Sequence, residues 1–367
     1  MKNSFGNSIV ISLFGESHGD YIGAVVDGLA PGIKINDEYI KEKLAKRRPK
    51  GKISTARVEA DEYSIVSGAY KGYTTGSPLC ILIPNTNKKS GDYDKVLDVP
   101  RPSHADFTAR EKYHGFEDQR GGGHFSGRIT AAIVAVGAIL QSALEDKGIK
   151  IGSHITELHG AFDRGFDNLE SDIDVLSQKE FPTLSNDAEE RMRKEIEKAA
   201  AMGDSVGGIL ESAVIGLPTG VGEPWFDSME SMLAHGLFSI PGVKGVEFGL
   251  GFAFADVYGS EGNDSFAIID GKVITESNNN GGINGGITNG MPIMFKTVIK
   301  PTPSIFKEQG SVSLSKMENV TLKLEGRHDP AIIHRARAVV DAVSAIVIAD
   351  ALTVRYGTDY LANGVKR

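Results

Sequence analysis

The chain has 367 residues and a formal net charge of -8, with 40% hydrophobic and 24% charged residues. That length allows a sizeable core in one large domain or in two or three average ones, and the acidity argues against a nucleic-acid-binding body, which needs a basic face. Its single cysteine, Cys80, excludes an internal disulfide and a thiolate metal cluster; within the apolar run 79–83 it reads as a core residue.

The N-terminal stretch 1–14 carries a single lysine and a short, interrupted apolar run, which does not read as a secretory signal. Residues 9–13 and 24–26 read as strands, β-branched and bounded by glycine. Between them lies Gly15-Glu16-Ser17-His18-Gly19. His18, flanked by glycine in a strand-end turn, has no apolar core role and is the best proton donor in the sequence. The same five residues fit the G-x-S-x-G elbow of serine hydrolases. That motif needs a helix directly after the serine, and the glycine-punctuated residues 20–28 are a poor helix.

Asn36 caps a helix running to about Arg47 and stopped before Pro49. Eight cations fall between Lys41 and Arg57. Arg47, Arg48, Lys50, Lys52 and Arg57 surround a proline-glycine break, as a solvated face or as a loop that closes on a phosphate. Further on, Arg101-Pro102-Ser103-His104 precedes a helix over 107–113. Ser103 with Asp106 gives a capping-box pattern there, and His104 is either a first-turn residue or a functional one beside Arg101.

Gly121-Gly122-Gly123-His124-Phe125-Ser126-Gly127-Arg128 opens a helix over 128–144, with Ser126 at its N-cap. Arg128 in the first turn opposes the helix dipole at a cost of roughly 0.3–1 kcal/mol unless an anion lies between them. The longest apolar run, 131–140, is ten residues and too short to cross a bilayer, so a reducing, cytoplasmic setting is expected. A charge-rich helix over 186–202 closes at Gly203.

The strands 209–215 and 293–299 flank the glycine-rich loop 278–286, a tight turn or the wall of a planar cofactor. Lys300-Pro301-Thr302-Pro303-Ser304 follows at a strand end. In Gly326-Arg327-His328-Asp329-Pro330, Asp at the N-cap with Pro at N1 is ordinary helix initiation for 330–352. A catalytic base fits the same place. No histidine pair has metal-ligand spacing.

The two halves echo each other. Gly19-Asp20-Tyr21-Ile22-Gly23 leading to Gly28-Leu29-Ala30-Pro31-Gly32 returns as Gly203-Asp204-Ser205-Val206-Gly207 leading to Gly216-Leu217-Pro218-Thr219-Gly220. Thr74-Thr75-Gly76-Ser77-Pro78 returns as Thr288-Asn289-Gly290-Met291-Pro292. This predicts one α+β domain over 1–367 built from two pseudo-repeats, about 1–150 and 200–360, since strands cluster rather than alternate with helices.

Taken in order, Gly15 to Gly19, Arg47-Arg48-Pro49, Arg101-Pro102-Ser103-His104-Ala105-Asp106, Gly121-Gly122-Gly123 with Ser126-Gly127-Arg128, the 281–290 loop, Lys300-Pro301-Thr302 and Gly326-Arg327-His328-Asp329-Pro330 resemble the chorismate synthase family over nearly the whole length. The resemblance implies an internally duplicated sandwich of antiparallel sheets and helices. It implies a shikimate-pathway lyase that converts 5-enolpyruvylshikimate 3-phosphate to chorismate and phosphate with reduced FMN and no net redox change, typically as a homotetramer. With no dinucleotide fingerprint in the chain, an external flavin reductant is expected, and no metal.

By the same resemblance, His18 protonates the departing phosphate, His104 lies near the flavin, and Asp329 assists removal of the ring proton. Arg47, Arg48, Arg101, Arg128 and Arg327 hold substrate anions. His124, Phe125, Ser126, Pro241, Gly242, Gly285, Lys300, Pro301, Thr302, Pro303, Ser304 and Arg327 match flavin-contacting positions. His124-Phe125 stands where many members have Arg-Ser, and Pro241-Gly242 where many have Asn-Ala. Asp341 stands where glutamate is usual, a change read as compatible with the surface.

Overall fold

The computed structural model describes residues 2–51, 53–54, 60–86, 98–324, 326 and 328–362. Among the described residues, ten strands fall into two five-stranded sheets in which every pairing is antiparallel, the others forming two-stranded hairpins. The first contains β1 (Ser4–Phe5), β2 (Val10–Gly15), β3 (Tyr21–Asp27), β4 (Ser64–Ser67) and β5 (Leu79–Pro84), in the order β1-β2-β3-β5-β4. The second contains β6 (Lys150–Leu158), β7 (Ala161–Phe162), β8 (Gly208–Ile215), β9 (Val243–Phe248) and β10 (Ile293–Ile299), in the order β9-β10-β8-β6-β7. Four strands of each sheet therefore follow one plan, first-second-fourth-third in chain order.

The same local bonds recur in both halves. Thr74 Oγ1 accepts from Ile33 N at 2.9 Å and donates to Ala30 O at 2.6 Å. Thr288 Oγ1 accepts from Val221 N at 3.0 Å and donates to Pro218 O at 2.7 Å. These buried threonines satisfy the backbone where each half turns into its later strands.

The helices are α1 (Asp37–Arg47), α2 (Asp106–Tyr113), α3 (Thr130–Glu145), α4 (Leu169–Gln178), α5 (Asn186–Ala201), α6 (Met229–Phe238), the one-turn α7 (Gly259–Gly262) and α8 (Ile333–Tyr356). α3 packs on β3 and β5, α8 packs on β6 and β8, and the two helices pack on each other between the sheets. They cross closely at Gly137, where an added Cβ would lie 2.4 Å from the Ala342 Cβ.

A helix apolar on all sides must be buried. α3 meets that rule, with Ile139, Leu140 and Leu144 at 1% exposure or less, and each such side chain contributes about 1.5–3 kcal/mol. The stretch Gly127–Glu145 is long and apolar enough to cross a membrane by length and composition, longer than the ten-residue run suggested. Buried along nearly all of its length, it serves here as a core helix.

Helix starts follow the sequence where a side chain has no stronger partner. Asn36 Oδ1 accepts from Tyr39 N at 3.3 Å to cap α1, and Ser126 Oγ accepts from Arg128 N at 3.2 Å ahead of α3. The capping box at Ser103 and Asp106 does not form. α2 begins after Ala105 without a side-chain cap, because Asp106 is engaged by Arg101. Nor does Asp329 cap α8, which begins after Ile332.

Two other expectations are corrected. Cys80 lies on the half-buried face of β5, while its neighbours Leu79 and Ile81 point into the core, as strand alternation requires. Asp341 is a core residue of α8 at 2% exposure, not a surface one. It accepts from Ser153 Oγ at 2.6 Å and faces Arg337 at 3.5 Å. Burial pushes its carboxyl pKa up against the pull of Arg337 and Lys43.

Candidate active site

A cavity of about 1110 Å³ opens where the start of α3, the 101–105 and 121–128 segments, the turn before β9, the 300–303 segment and the start of α8 meet. A single-ligand pocket is typically about 300–1,000 Å³, so this one has room for two ligands side by side. Arg47, Arg101, Arg128 and Arg335 line it with Lys244, Lys300 and Lys323, against one lining carboxylate among the described residues, Asp329. A basic cavity in a chain of net charge -8 focuses its potential on an incoming anion.

The glycine segment shapes one wall. Gly121, Gly122 and Gly123 all have positive φ, at 63°, 85° and 54°, where a side chain is strained. Behind Gly121 sits His18, 3% exposed. A Cβ at 121 would lie 2.1 Å from the imidazole Cε1 and 2.2 Å from Nδ1. His18 is therefore not a lining residue but stands one glycine away from the cavity. Its turn is held by Ser17 N donating to Gly123 O at 3.0 Å and by His124 Nδ1 at 2.7 Å from Gly15 O. No helix follows Ser17, which is buried at 5% exposure in a turn leading directly into β3; the hydrolase elbow is absent.

Arg47 and Arg128 meet at Asp61, whose side chain is fully buried. Arg47 Nη1 lies 3.1 Å from one carboxylate oxygen, with Arg48 Nε 3.5 Å from the same oxygen, and Arg128 Nη1 binds the other. The anion required to offset a cation at the start of α3 is thus supplied by the chain itself. Three guanidiniums thus gather around one buried carboxylate, and low dielectric strengthens the pull of such a cluster on an incoming anion.

Arg47 also donates to Thr130 Oγ1 at 3.0 Å and Gly127 O at 3.2 Å, fixing α1 to the start of α3. Arg128 Nε donates to Asn85 Oδ1 at 3.0 Å. Asn85 Nδ2 in turn donates to Glu16 O and Gly19 O, each at 2.9 Å. Asn85 thereby ties the arginine cluster to the His18 turn.

Across the cavity, Asp106 accepts from Arg101 Nε and Nη2, each at 2.8 Å, and from Arg101 N at 3.0 Å. His104 Nδ1 lies 2.6 Å from Asp106 Oδ1. Burial alone would raise the Asp106 carboxyl pKa, but the hydrogen bonds from Arg101 and His104 outweigh it and hold it well below the usual carboxylate range.

Asp329 lies 2.5 Å from Arg335 Nη2, and its carbonyl accepts from Thr302 Oγ1 at 2.6 Å. Burial, with Lys244 nearby, pulls the Lys300 pKa below its ordinary value, while Lys300 Nζ donates to Ser103 O at 2.7 Å. Two like charges at one wall attract a polyanion. Burial, then Arg335 and Arg193, lower the His334 pKa to about 3.

His104, His124, Phe125, Ser126, Pro241, Gly242, Lys300, Pro301, Thr302, Pro303, Asp329, Arg47, Arg101 and Arg128 all line the cavity. Arg48 stands behind it at Asp61, and Ser304 is not among the lining residues. Gly285 lies elsewhere, in the tight hairpin of Ile283–Asn284 and Ile287–Thr288. There Gly286 O accepts from Met229 N, and Asp264 binds Asn279 N and Asn280 N, so within this chain the glycine-rich loop forms a tight turn away from the cavity. Lys52, Arg57 and Arg327 lie outside the described residues. Sequence reasoning missed Asp61, Asn85 and Arg335. Asp61 and Arg335 stand in no recognisable motif, and Asn85 gives only the weak signal of a polar residue directly after a strand.

A two-sheet α+β sandwich with a large basic cavity lined, among the described residues, by three histidines and one carboxylate defines an enzyme of anionic substrates. A family model described as chorismate synthase matches residues 9–353. The chain is 46% identical over 350 residues to the chorismate synthase of Pyrococcus abyssi, covering 95% of this chain and 97% of that one. It is 43% identical over 361 residues to that of Dehalococcoides mccartyi, covering 97% and 98%. A solved chorismate synthase structure superposes with a TM-score of 0.75 at 28% identity, covering 97% of this chain and 95% of the other. The chain belongs to the chorismate synthase family, lyases of the shikimate pathway that serve aromatic amino-acid biosynthesis.

Proposed function

We propose that this chain eliminates phosphate from 5-enolpyruvylshikimate 3-phosphate in an anti 1,4-elimination, giving chorismate, with reduced FMN seated beside the substrate in the same cavity. The observation that carries this reading is the 1110 Å³ cavity in which, among the described residues, seven lysines and arginines face one lining carboxylate. The substrate brings a phosphate and two carboxylates, and the cofactor brings another phosphate. The donor set suits these groups: planar guanidiniums match phosphate and carboxylate, and Gly242, at φ 95°, lets a flat ring approach the backbone.

Arg47 and Arg128 hold a substrate anion from the Asp61 side, and Arg101 and Arg48 add charge around it. Lys300, the 301–303 segment, Ser126, His124, Phe125, Pro241 and Gly242 seat the FMN; Gly285, Ser304 and Arg327 are proposed with them. Reduced flavin supplies an electron-rich ring that assists departure of phosphate and is regenerated within each turnover.

His18 delivers a proton to the leaving phosphate. The missing side chain at Gly121 leaves its imidazole within reach of an oxygen in the cavity. Asp329, held by Arg335, assists proton removal from the substrate ring, and His104 keeps the flavin suitably protonated. Exclusion of water strengthens each arginine contact. We also propose a single domain formed by duplication of the β2-β3-β4-β5 unit, a homotetrameric cytoplasmic enzyme, and an external source of reduced flavin.

The residue roles are tested on His18→Ala. Turnover with reduced FMN falls by about 10²-fold or more, as for loss of a general acid, while FMN affinity from flavin fluorescence titration stays within threefold. Undiminished turnover would remove His18 from the reaction; a parallel loss of FMN binding would make it a structural support for the Gly121 wall.

A further inference from the structure

We propose that Asp106 is a positioning residue that fixes the tautomer and ring plane of His104, so that Nδ1 carries the proton and Nε2 is presented as an acceptor. This rests on the placement of His104 in the reacting site. The two side chains belong to one short segment, yet their geometry is not that of a helix cap. Asp106 Oδ1 lies 2.6 Å from His104 Nδ1 and 2.8 Å from Arg101 Nη2. Oδ2 takes Arg101 Nε at 2.8 Å and the Arg101 backbone N at 3.0 Å.

An ionised carboxylate is an acceptor only, so the imidazole nitrogen facing it must carry hydrogen. Arg101 Nη2, 3.1 Å from the same Nδ1, is also a donor only. It donates to Oδ1 at 2.8 Å and also faces Nδ1, but the carboxylate oxygen is the nearer partner of Nδ1, at 2.6 Å, and so close an approach of an anion to an imidazole lone pair is repulsive unless Nδ1 carries the hydrogen. The acid thus selects the tautomer, as an orienting carboxylate does for a working imidazole. Ser103 has φ 58°, an unusual conformation for a residue with a side chain, and it places Arg101 and His104 on the same carboxylate. The opposite ring edge faces the glycine wall: a Cβ on Gly122 would lie 3.5 Å from Cε1 and 3.6 Å from Nε2. Arg101, meanwhile, has its Nε and Nη2 committed to Asp106. Its guanidinium therefore serves the site partly by holding this pair.

Asp106→Asn makes a sharp test because the amide has one acceptor and one donor end. Placing its NH2 at the Oδ2 position would oppose two Arg101 donors, one of them a backbone N–H that cannot turn away. Placing it at Oδ1 opposes a single Arg101 donor, Nη2, and puts an N–H against His104 Nδ1. The second arrangement costs less, and it forces the proton onto Nε2. ¹⁵N-histidine correlation spectra read the tautomer directly, without turnover. His104→Gln assigns the His104 signals among the nine histidines.

The expected native spectrum has Nδ1 protonated, and Asp106→Asn has Nε2 protonated. With reduced FMN, kcat of Asp106→Asn falls about 10- to 100-fold, while substrate KM and FMN affinity change less than threefold. Asp106→Glu restores the native tautomer and part of kcat. A native spectrum with the proton on Nε2 overturns the proposal outright, whether or not any variant folds. An unchanged tautomer in Asp106→Asn, with kcat and KM shifting together, overturns it in favour of a purely structural loop. Since the spectra need no substrate, they stand apart from the assignment of the reaction.

Discussion

Arg128→Met lowers kcat/KM by about 10³-fold and destabilises the fold, the largest effect expected of any single change in the cavity. Charge-assisted hydrogen bonds contribute about 1.5–3 kcal/mol each, and two such bonds to a substrate anion correspond to roughly 10²- to 10⁴-fold in rate. The loss does not end at the ligand. Arg128 is 8% exposed and holds Asp61, Asn85 and Pro84 O, the last at 3.3 Å. Without it Asp61 keeps a buried charge with a weaker cation set, and breaking such a pair costs about 3–5 kcal/mol. Asn85 loses its orienting donor, and with it the His18 turn loses support. Steady-state kinetics and a chemical denaturation curve of the same preparation measure both parts. Arg128→Lys keeps the charge but not the planar fork and regains little activity; full recovery by lysine would reduce the site to a simple positive potential.

Gly121→Ala follows close behind, although it adds a single methyl group. The backbone at 121 has φ 63°, where an alanine costs about 1–2 kcal/mol. The new Cβ would stand 2.1 Å from the His18 ring and 3.0 Å from Ser17 Oγ, and overpacking of a closed site adds about 1–3 kcal/mol. Because His18 is buried, relief requires the ring to leave its place. The expected result is a stability loss of about 2–5 kcal/mol and a kcat reduced by at least about 10²-fold. Gly310→Ala, where the added Cβ meets nothing within 4 Å, is the control and changes stability little. If Gly121→Ala turned over at the native rate, His18 would have no part in proton delivery.

Much of the architecture is legible in the sequence because its signals are local. The β-branched runs bounded by glycine become β2, β3, β8 and β10, and the all-round apolar segment becomes α3. The resemblance to a known family was legible for the same reason, since each of its motifs is a short continuous stretch. What could not be read is long-range pairing. Asp61 belongs with Arg128, 67 residues away, and nothing in either neighbourhood announces the other.

Where a polar residue has two possible partners, the stronger one decides, and sequence spacing cannot rank them. Asp106 and Asp329 both stood where carboxylates cap helices, but each found an arginine, Arg101 and Arg335. A charge-assisted bond outweighs a cap worth about 1 kcal/mol. Asp341 illustrates the converse: a charged residue looked superficial until Ser153 and Arg337 enclosed it. Gly285 belongs to a motif continuous in sequence, yet its hairpin folds onto Gly222 and Met229, away from the cavity.

The most direct test of the whole account is an anaerobic incubation of the purified protein with 5-enolpyruvylshikimate 3-phosphate and FMN, with and without dithionite, following chorismate absorbance and phosphate together. The account predicts equal release of both products, only when the flavin is reduced. Phosphate released without chorismate, or chorismate formed equally well with oxidised flavin, would contradict it.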